Sequence, residues 1–321
     1  MIVGIDTSPL FEPLKVRGKV LRNRIVMPPM VAGRDIAGPE GREWYGRRAR
    51  GGVGLVIVQA TYAAEFGSRL TVENMRLLAD AIHAGGALVA LQAFPDARGW
   101  SISPAELTAA DIEAMAGQYR TAAEMCASAG FDGIEPHGAH GYVLNKFFSP
   151  VQNRRADGYG GGIEGRMRLA LRLVDALRPA ADGAGMLILY RHTPVGDGYG
   201  IEDSLVLAGE LVKRGVDILD ISPASDAAPG DRAAPFRRFG VPVIAVNRLD
   251  SVDRALEVLN EGRADLVAVG RGLIADPDWP LKVREGRVGD IVACTDCNNC
   301  FADLYRGAPV GCVQWKEGRE P

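Results

Sequence analysis

The chain has 321 residues, 47% of them apolar and 24% charged, with a formal net charge of −3. This is an ordinary globular balance, with no basic block for a nucleic-acid partner and no apolar run near the roughly 20 residues of a membrane span. The opening MIVGIDTSPLFEPLKV lacks a basic start followed by an apolar stretch, so no signal peptide is expected and the cytoplasm is the expected location.

In chain order, short apolar runs alternate with longer amphipathic ones. The predicted strands are Arg24–Met27, Leu55–Val58, Ala87–Phe94, Gly133–Pro136, Met186–Tyr190, Ile218–Ile221, Val243–Ala245 and Leu266–Val269. Most are nearly all apolar, as parallel strands buried on both faces are. Between them the pattern predicts a helix from Thr108 to Gly130, with Thr108 as N-cap and Asp111 three residues on. A second runs from Glu164 to Leu177, with Pro179 marking its end, and others cover Asp203–Gly215 and Ser251–Gly262. The segment Ala224–Ala234 reads as a mobile loop. Eight strands alternating with helices predict an α/β fold, a single (β/α)8 TIM barrel over residues 1–290. A doubly wound sheet is the alternative, but the first strand is followed by Met27-Pro28-Pro29-Met30 rather than a glycine-rich loop. From about Ile291 the alternation stops, and residues 291–321 form a short cysteine-rich extension.

In such a barrel, chemistry gathers at the C-terminal strand ends. After the fourth strand comes Glu135-Pro136-His137-Gly138-Ala139-His140-Gly141-Tyr142. Two imidazoles could hold a substrate oxygen and the phenol could supply a proton; the plainer reading is a loop capped by its own backbone. Gln92 ends a buried run, where an amide is costly unless paired, so it either bonds a planar cofactor's edge or is a satisfied structural residue. Arg191 follows the fifth strand and could stabilise a bound anionic ring or form a plain ion pair. The seventh and eighth strands end in Val246-Asn247-Arg248 and Val269-Gly270-Arg271-Gly272, where barrels often bind phosphate.

Five cysteines are present, and Cys294, Cys297, Cys300 and Cys312 crowd near the C-terminus. Four thiolates at this spacing suit a [4Fe–4S] cluster; structural zinc and free thiols are the alternatives.

These residues, in this order, resemble the old yellow enzyme family of flavin oxidoreductases. The motifs are LFEPLKVRGKVLRNRIVMPPM, ARGGVGLVIVQAT, AGFDGIEPHGAHGYVLNKFFSP, NRRADGYGG and ADLVAVGRGLIADP. With the cysteines, the chain is similar to the branch that includes trimethylamine dehydrogenase, 2,4-dienoyl-CoA reductase and 2-enoate reductases, whose barrel carries FMN and a [4Fe–4S] cluster. The resemblance implies that Pro28, Pro29, Met30 and Ala60 lie along the FMN ring, Gln92 bonds its polar edge and Arg191 faces its N1–O2 side. It places Ala245, Asn247, Gly270 and Arg271 around the phosphate, His137 and His140 on the substrate oxygen, Tyr142 as proton donor, and Cys294, Cys297, Cys300 and Cys312 on the cluster. The chain departs from the family at Pro95, where a histidine is frequent, at Asn247, where glycine is common, and at Val31, where a Thr, Cys or His often tunes the flavin. The stretches after strands two and three read as short, which implies a more open pocket or one completed by a partner chain. The two-flavin relatives also carry a long C-terminal part beyond the cluster.

The implied reaction is reduction of an activated C=C bond in a small-molecule substrate, with NAD(P)H as a donor directly or through the cluster. A second reading runs the flavin the other way, oxidising an amine or saturated substrate and passing electrons to the cluster. A third makes the chain an electron-relay subunit with an NAD(P)H-oxidising partner protein. A homo-oligomer is the expected assembly, with neither nucleic acid nor membrane as partner.

Overall fold

A computed structural model of the chain describes residues 5–95, 101–224, 232–316 and 320. Residues 225–231 of the predicted loop therefore lie outside the described residues. Eight parallel strands close into a barrel: β1 Ile25–Met27, β2 Leu55–Tyr62, β3 Leu88–Phe94, β4 Gly133–Gly138, β5 Leu187–His192, β6 Ile218–Ile221, β7 Val243–Ala245 and β8 Leu266–Ala268. Each pairs with the next in sequence, and β8 closes on β1 through Val267 opposite Ile25 and Ala268 opposite Val26. The (β/α)8 barrel expected from the alternation is the fold observed.

The two faces of the strands fill separate cores. Val26, Leu55, Ile57, Ala90, Leu189, Ile218, Ile244 and Leu266 point inward and pack on one another. Their neighbours, such as Ile25, Val56, Val58, Val89, Leu91 and Val267, pack outward against the helical layer. Alternation with period two thus stays apolar on both sides, which is why the strands read as continuous apolar runs.

The N-terminal hairpin, Leu14–Val16 paired antiparallel with Lys19–Leu21, was not among the predicted strands. It turns at Arg17 (φ 44°) and Gly18 (φ 84°), the left-handed pair that a two-residue hairpin requires. Val16 and Leu21 join the inner core, so the hairpin plugs the barrel at the end opposite the strand C-termini.

The helices α1 Pro39–Arg50, α2 Val72–Ala84, α3 Ala109–Ser128, α4 Ile163–Ala184, α5 Ile201–Lys213 and α6 Val252–Asn260 cover the outside. The Thr108 N-cap is present as a full capping box with Asp111. Pro179, expected to end α4, lies inside it. Proline removes one helical N–H, but the turns beyond it bury Ala181 and end on Gly185 in a left-handed conformation (φ 64°), a strong C-cap.

The C-terminal extension folds back on the barrel. Arg34 donates to the Val310 carbonyl at 2.9 Å and the Trp315 indole to the Ile274 carbonyl at 3.2 Å. The guanidinium groups of Arg34 and Arg48 both lie over the Trp44 ring, 4.3 and 3.2 Å from its centroid. Arg48 is fully buried and reaches Glu320 at 2.8 Å.

Asp132, at the base of β4, ties the plug to the barrel. It accepts from Lys19 at 2.8 Å and from the Val89 backbone N–H at 3.0 Å, and its other contact is His83 at 2.7 Å. Burial alone would push Asp132 up, but the bonds from His83 and Lys19 outweigh it and hold the carboxyl below its ordinary value. The same bond to Asp132 raises His83. Asp132→Ala is expected to lower unfolding stability by about 2–4 kcal/mol in urea titrations. The His83 contribution is complete below the ordinary histidine pKa of about 6.5 and fades as pH rises through the raised value. The variant should lose that decline of stability on the alkaline side; an unaltered decline would contradict the assignment.

Candidate active site

At their C-terminal ends, neighbouring strands carry polar side chains into an otherwise apolar cylinder. Gln92 on β3 stands opposite Glu135 on β4, His137 opposite Arg191 on β5, and Arg191 opposite Asp220 on β6. All five are buried. Gln92 Nε2 donates to Glu135 Oε1 at 2.7 Å, and Arg191 Nε lies 3.5 Å from Asp220 Oδ2. The structure therefore brings Gln92 and Arg191 to one polar belt across β3–β6. Glu135, Asp220 and Ser222 belong to the same belt and were missed as site residues from sequence; the readable signal was a carboxyl inside each of the apolar runs GIEP and ILDI.

The loop after β4 holds the paired imidazoles. Gly138 is obligatory there, because a Cβ would sit 2.2 Å from the Tyr190 hydroxyl. His140 takes a left-handed conformation (φ 61°), and its N–H donates to Thr193 Oγ1 at 2.9 Å. Gly141 follows (φ 76°) and donates to Asn145 Oδ1 at 2.8 Å, which in turn donates from Nδ2 to the Tyr199 hydroxyl at 2.6 Å. These bonds fix the loop so that the His137 and His140 rings meet edge to face, 5.2 Å apart. Tyr142 packs on the same cluster, 5.0 Å from His137 and 5.1 Å from Phe94. The three residues predicted to do chemistry are thus contiguous.

Hydrogen bonds select the tautomers. His137 Nδ1 accepts from the Ala139 N–H at 3.3 Å, which leaves its proton on Nε2. Ser222 Oγ accepts from Arg191 Nη2 at 2.9 Å, so its own hydrogen is available to His140 Nε2, also at 2.9 Å. A Ser222 hydroxyl that donates to Nε2 places the His140 proton on Nδ1. Burial, then His140 and Arg191, drives His137 well below the ordinary histidine value. Burial, then Arg191, pushes His140 down to about 3. Both imidazoles are neutral donors at neutral pH. Partial burial raises Tyr142, helped by Tyr305 and Tyr62, so the phenol stays protonated.

The wall around the mouth is apolar on one side. Pro28 is buried and Pro29 and Met30 are half-buried, and the Gly270 Cα–H faces Met30 Sδ and Pro28 Cγ, which a Cβ would meet at 3.5 and 3.6 Å. Ala60 lies where the pairing of β2 with β3 slips between Val58 and Thr61, and it is half-buried at the strand end. Ala245 closes β7 and is buried. Asn247 has φ 112° and Arg248 φ 52°, so the loop after β7 takes two consecutive left-handed residues. Asn247 therefore occupies a conformation that glycine adopts freely, at the position where the resemblance led one to expect glycine.

Arg271 is engaged by the cysteine segment. Its Nη1 lies 3.0 Å from Asp296 Oδ1 and 3.4 Å from Asn298 Oδ1, and Arg248 lies 3.4 Å from Asp296. Asp296 and Asn298 are themselves left-handed (φ 57° and 59°), which winds the turn between the cysteines tightly. Cys294, Cys297, Cys300 and Cys312 line one pocket with Arg271 and Ile274. Among the described residues, no three His, Cys, Asp or Glu side chains form a group that could hold a metal ion. No described helix is long and apolar enough to cross a membrane.

The sequence profile of the NADH:flavin oxidoreductase / NADH oxidase family matches residues 9–102 and 93–290. The chain belongs to this family, and it is a flavin-dependent oxidoreductase of the old yellow enzyme type. An NADH oxidase of Thermoanaerobacter brockii is 34% identical over 371 positions, which cover 96% of this chain and 56% of that protein. An NADPH dehydrogenase of Geobacillus thermodenitrificans (strain NG80-2) is 35% identical over 316 positions, covering 84% of this chain and 92% of that one. Among solved structures, 2-naphthoyl-CoA reductase in complex with 2-naphthoyl-CoA aligns at TM-score 0.84 with 26% identity, over 95% of this chain and 56% of that one. Morphinone reductase in complex with tetrahydroNAD aligns at TM-score 0.77 with 27% identity, over 87% and 91%. The chain therefore spans little more than half the length of two of these relatives and most of the other two.

The tautomer assignment is checked by ¹⁵N NMR of labelled histidine. His140 is expected to remain neutral down to about pH 3 with its proton on Nδ1, and Ser222→Ala should release it to a mixture of tautomers. An imidazolium signal for His140 near pH 6 would refute the assignment.

Proposed function

We propose that the chain reduces an activated C=C bond conjugated to a carbonyl, with FMN lying across the barrel mouth and NAD(P)H as electron source. The observation that carries this reading is the contact of two neutral imidazole donors with a protonated phenol at the strand ends. The residues present fit FMN: Pro28, Pro29, Met30 and Ala60 offer an apolar wall, while Gln92 and Arg191 supply a polar edge. Ala245, Asn247, Gly270 and Arg271, on the loops after β7 and β8, would surround the phosphate. When bound and reduced, FMN supplies the hydride for the β-carbon.

The remaining work belongs to the chain's own groups. His137 Nε2–H and His140 Nδ1–H donate to the carbonyl oxygen and favour the enolate over the ground state, because both are fixed before substrate arrives. Neutral donors suit this task, since neither must surrender a proton to water first. Tyr142 delivers a proton to the α-carbon, and its raised pKa keeps it in the acid form well into the alkaline range. The names of the relatives agree with this direction: both aligned structures described above are called reductases, and the curated relatives an NADH oxidase and an NADPH dehydrogenase.

The four cysteines would hold a [4Fe–4S] cluster. What supports this is that all four thiols line one pocket, at the spacing read from the sequence. Chemical analysis of anaerobically prepared protein should find about four iron and four sulfide per chain; iron-free protein that still turns over would remove this part of the reading.

Tyr142→Phe is expected to lower enone turnover by roughly 10²–10⁴-fold while leaving the rate at which NAD(P)H reduces the bound flavin unchanged. Stopped-flow measurement of the two half-reactions separates these effects. Equal loss in both, or loss in neither, would defeat the role of Tyr142. Bleaching of the flavin by an amine substrate alone would instead establish the oxidative direction.

A further inference from the structure

The reaction derived above uses Gln92 and Arg191 but leaves two carboxyls beneath them without a role. Glu135 and Asp220 are each completely buried, on strands that flank β5 and its Arg191. Glu135 Oε1 accepts from Gln92, but Glu135 Oε2 and both oxygens of Asp220 accept from no donor. The two side chains reach across β5 to hydrogen-bonding distance of each other; two ionised carboxylates there would repel, and three bare oxygens would each carry a desolvation cost. A proton between them removes both problems at once, since it turns facing acceptors into a donor and an acceptor. The charges that face the pair agree. Arg191 is the cation at hand, 3.5 Å from Asp220, and the two imidazoles above it are neutral. One proton on the pair leaves one negative charge against one guanidinium.

We propose that Glu135 and Asp220 share a single proton, and that the one negative charge left on the pair holds Arg191 in place and sets the charge balance beneath the flavin's N1–O2 side. The second half of this statement rests on the flavin reading given above; the first does not. Burial, then Asp220, pushes Glu135 far up, and burial raises Asp220 against the opposing pull of Arg191, which is the behaviour of carboxyls that cannot both ionise. Both are positioning residues: they act through Arg191 and Gln92 and do not reach the mouth themselves. A neutral pair would leave Arg191 uncompensated and favour the reduced, anionic flavin; a doubly ionised pair would oppose it.

Infrared difference spectra of the whole chain without FMN test the shared proton. At neutral pH a protonated-carboxyl C=O band that shifts in D2O is expected. It should vanish in both Glu135→Gln and Asp220→Asn, because each amide supplies the N–H that lets the remaining carboxyl ionise. No band in the unaltered protein, or a band that survives in either variant, would overturn the sharing. With FMN bound, each single variant keeps one negative charge and should keep the flavin's midpoint potential. The double variant Glu135→Gln/Asp220→Asn keeps none, and its potential should rise by an amount equal to at least a tenfold gain in relative binding of reduced flavin, about 30 mV for two electrons. An unchanged potential in the double variant would overturn the charge balance. Should the double variant fail to fold, a single variant whose potential moves as far would overturn it equally, and one that holds supports it. A chain that refuses FMN defeats the flavin reading alone, because the infrared test is made without it.

Discussion

The bond from Gln92 to Glu135 is the constraint around which the rest of the site is arranged. A barrel interior tolerates a carboxyl only where its charge is shared, paired or protonated, and here the neighbouring strands set Gln92 on Glu135 and Arg191 beside Asp220. Closure of the sheet sets the register, and the register sets which side chains meet: Gln92 with Glu135, and Arg191 with Asp220. Ser222 then carries the order outward, because the same hydroxyl accepts from Arg191 and bonds His140. An arginine within the belt and an imidazole at the mouth are thus linked through one hydroxyl.

The barrel's two ends have opposite characters. At the N-terminal end the hairpin plug and the Lys19–Asp132–His83 contacts close the cylinder. At the other end glycine and left-handed residues hold the loops: Gly138, His140 and Gly141 after β4, and Asn247 and Arg248 after β7. In the cysteine segment, Asp296 is also left-handed and clasps the arginines of the loops after β7 and β8, Arg248 and Arg271. The pocket of four cysteines is thereby fixed to the same strand ends as the imidazoles.

The fold was legible because the barrel strands are apolar on both faces, so each of the eight stood out against its surroundings. Where the strands turn functional the signal stopped early: β4 runs on to Gly138 and β5 to His192, past the predicted ends, because His137, Arg191 and His192 interrupt the apolar run. Pro179 misled for a related reason, as a local preference was overridden by the packing of Ala181 and the cap at Gly185. The hairpin was hidden by its brevity and by the charges of Lys15, Arg17 and Lys19. At the site, His137, His140 and Tyr142 were legible as a sequence cluster. Asp220 and Ser222 were not, since they reach the site from a distant segment that only closure of the barrel brings alongside.

A planar flavin held over the belt formed by Gln92 and Arg191 is the premise of the proposed reaction. Titration of flavin-free protein with FMN, followed by absorbance and by quenching of flavin fluorescence, tests it most directly. One FMN per chain is predicted, bound at least tenfold more weakly after Arg191→Ala. Failure to bind FMN, or binding indifferent to Arg191, would contradict it.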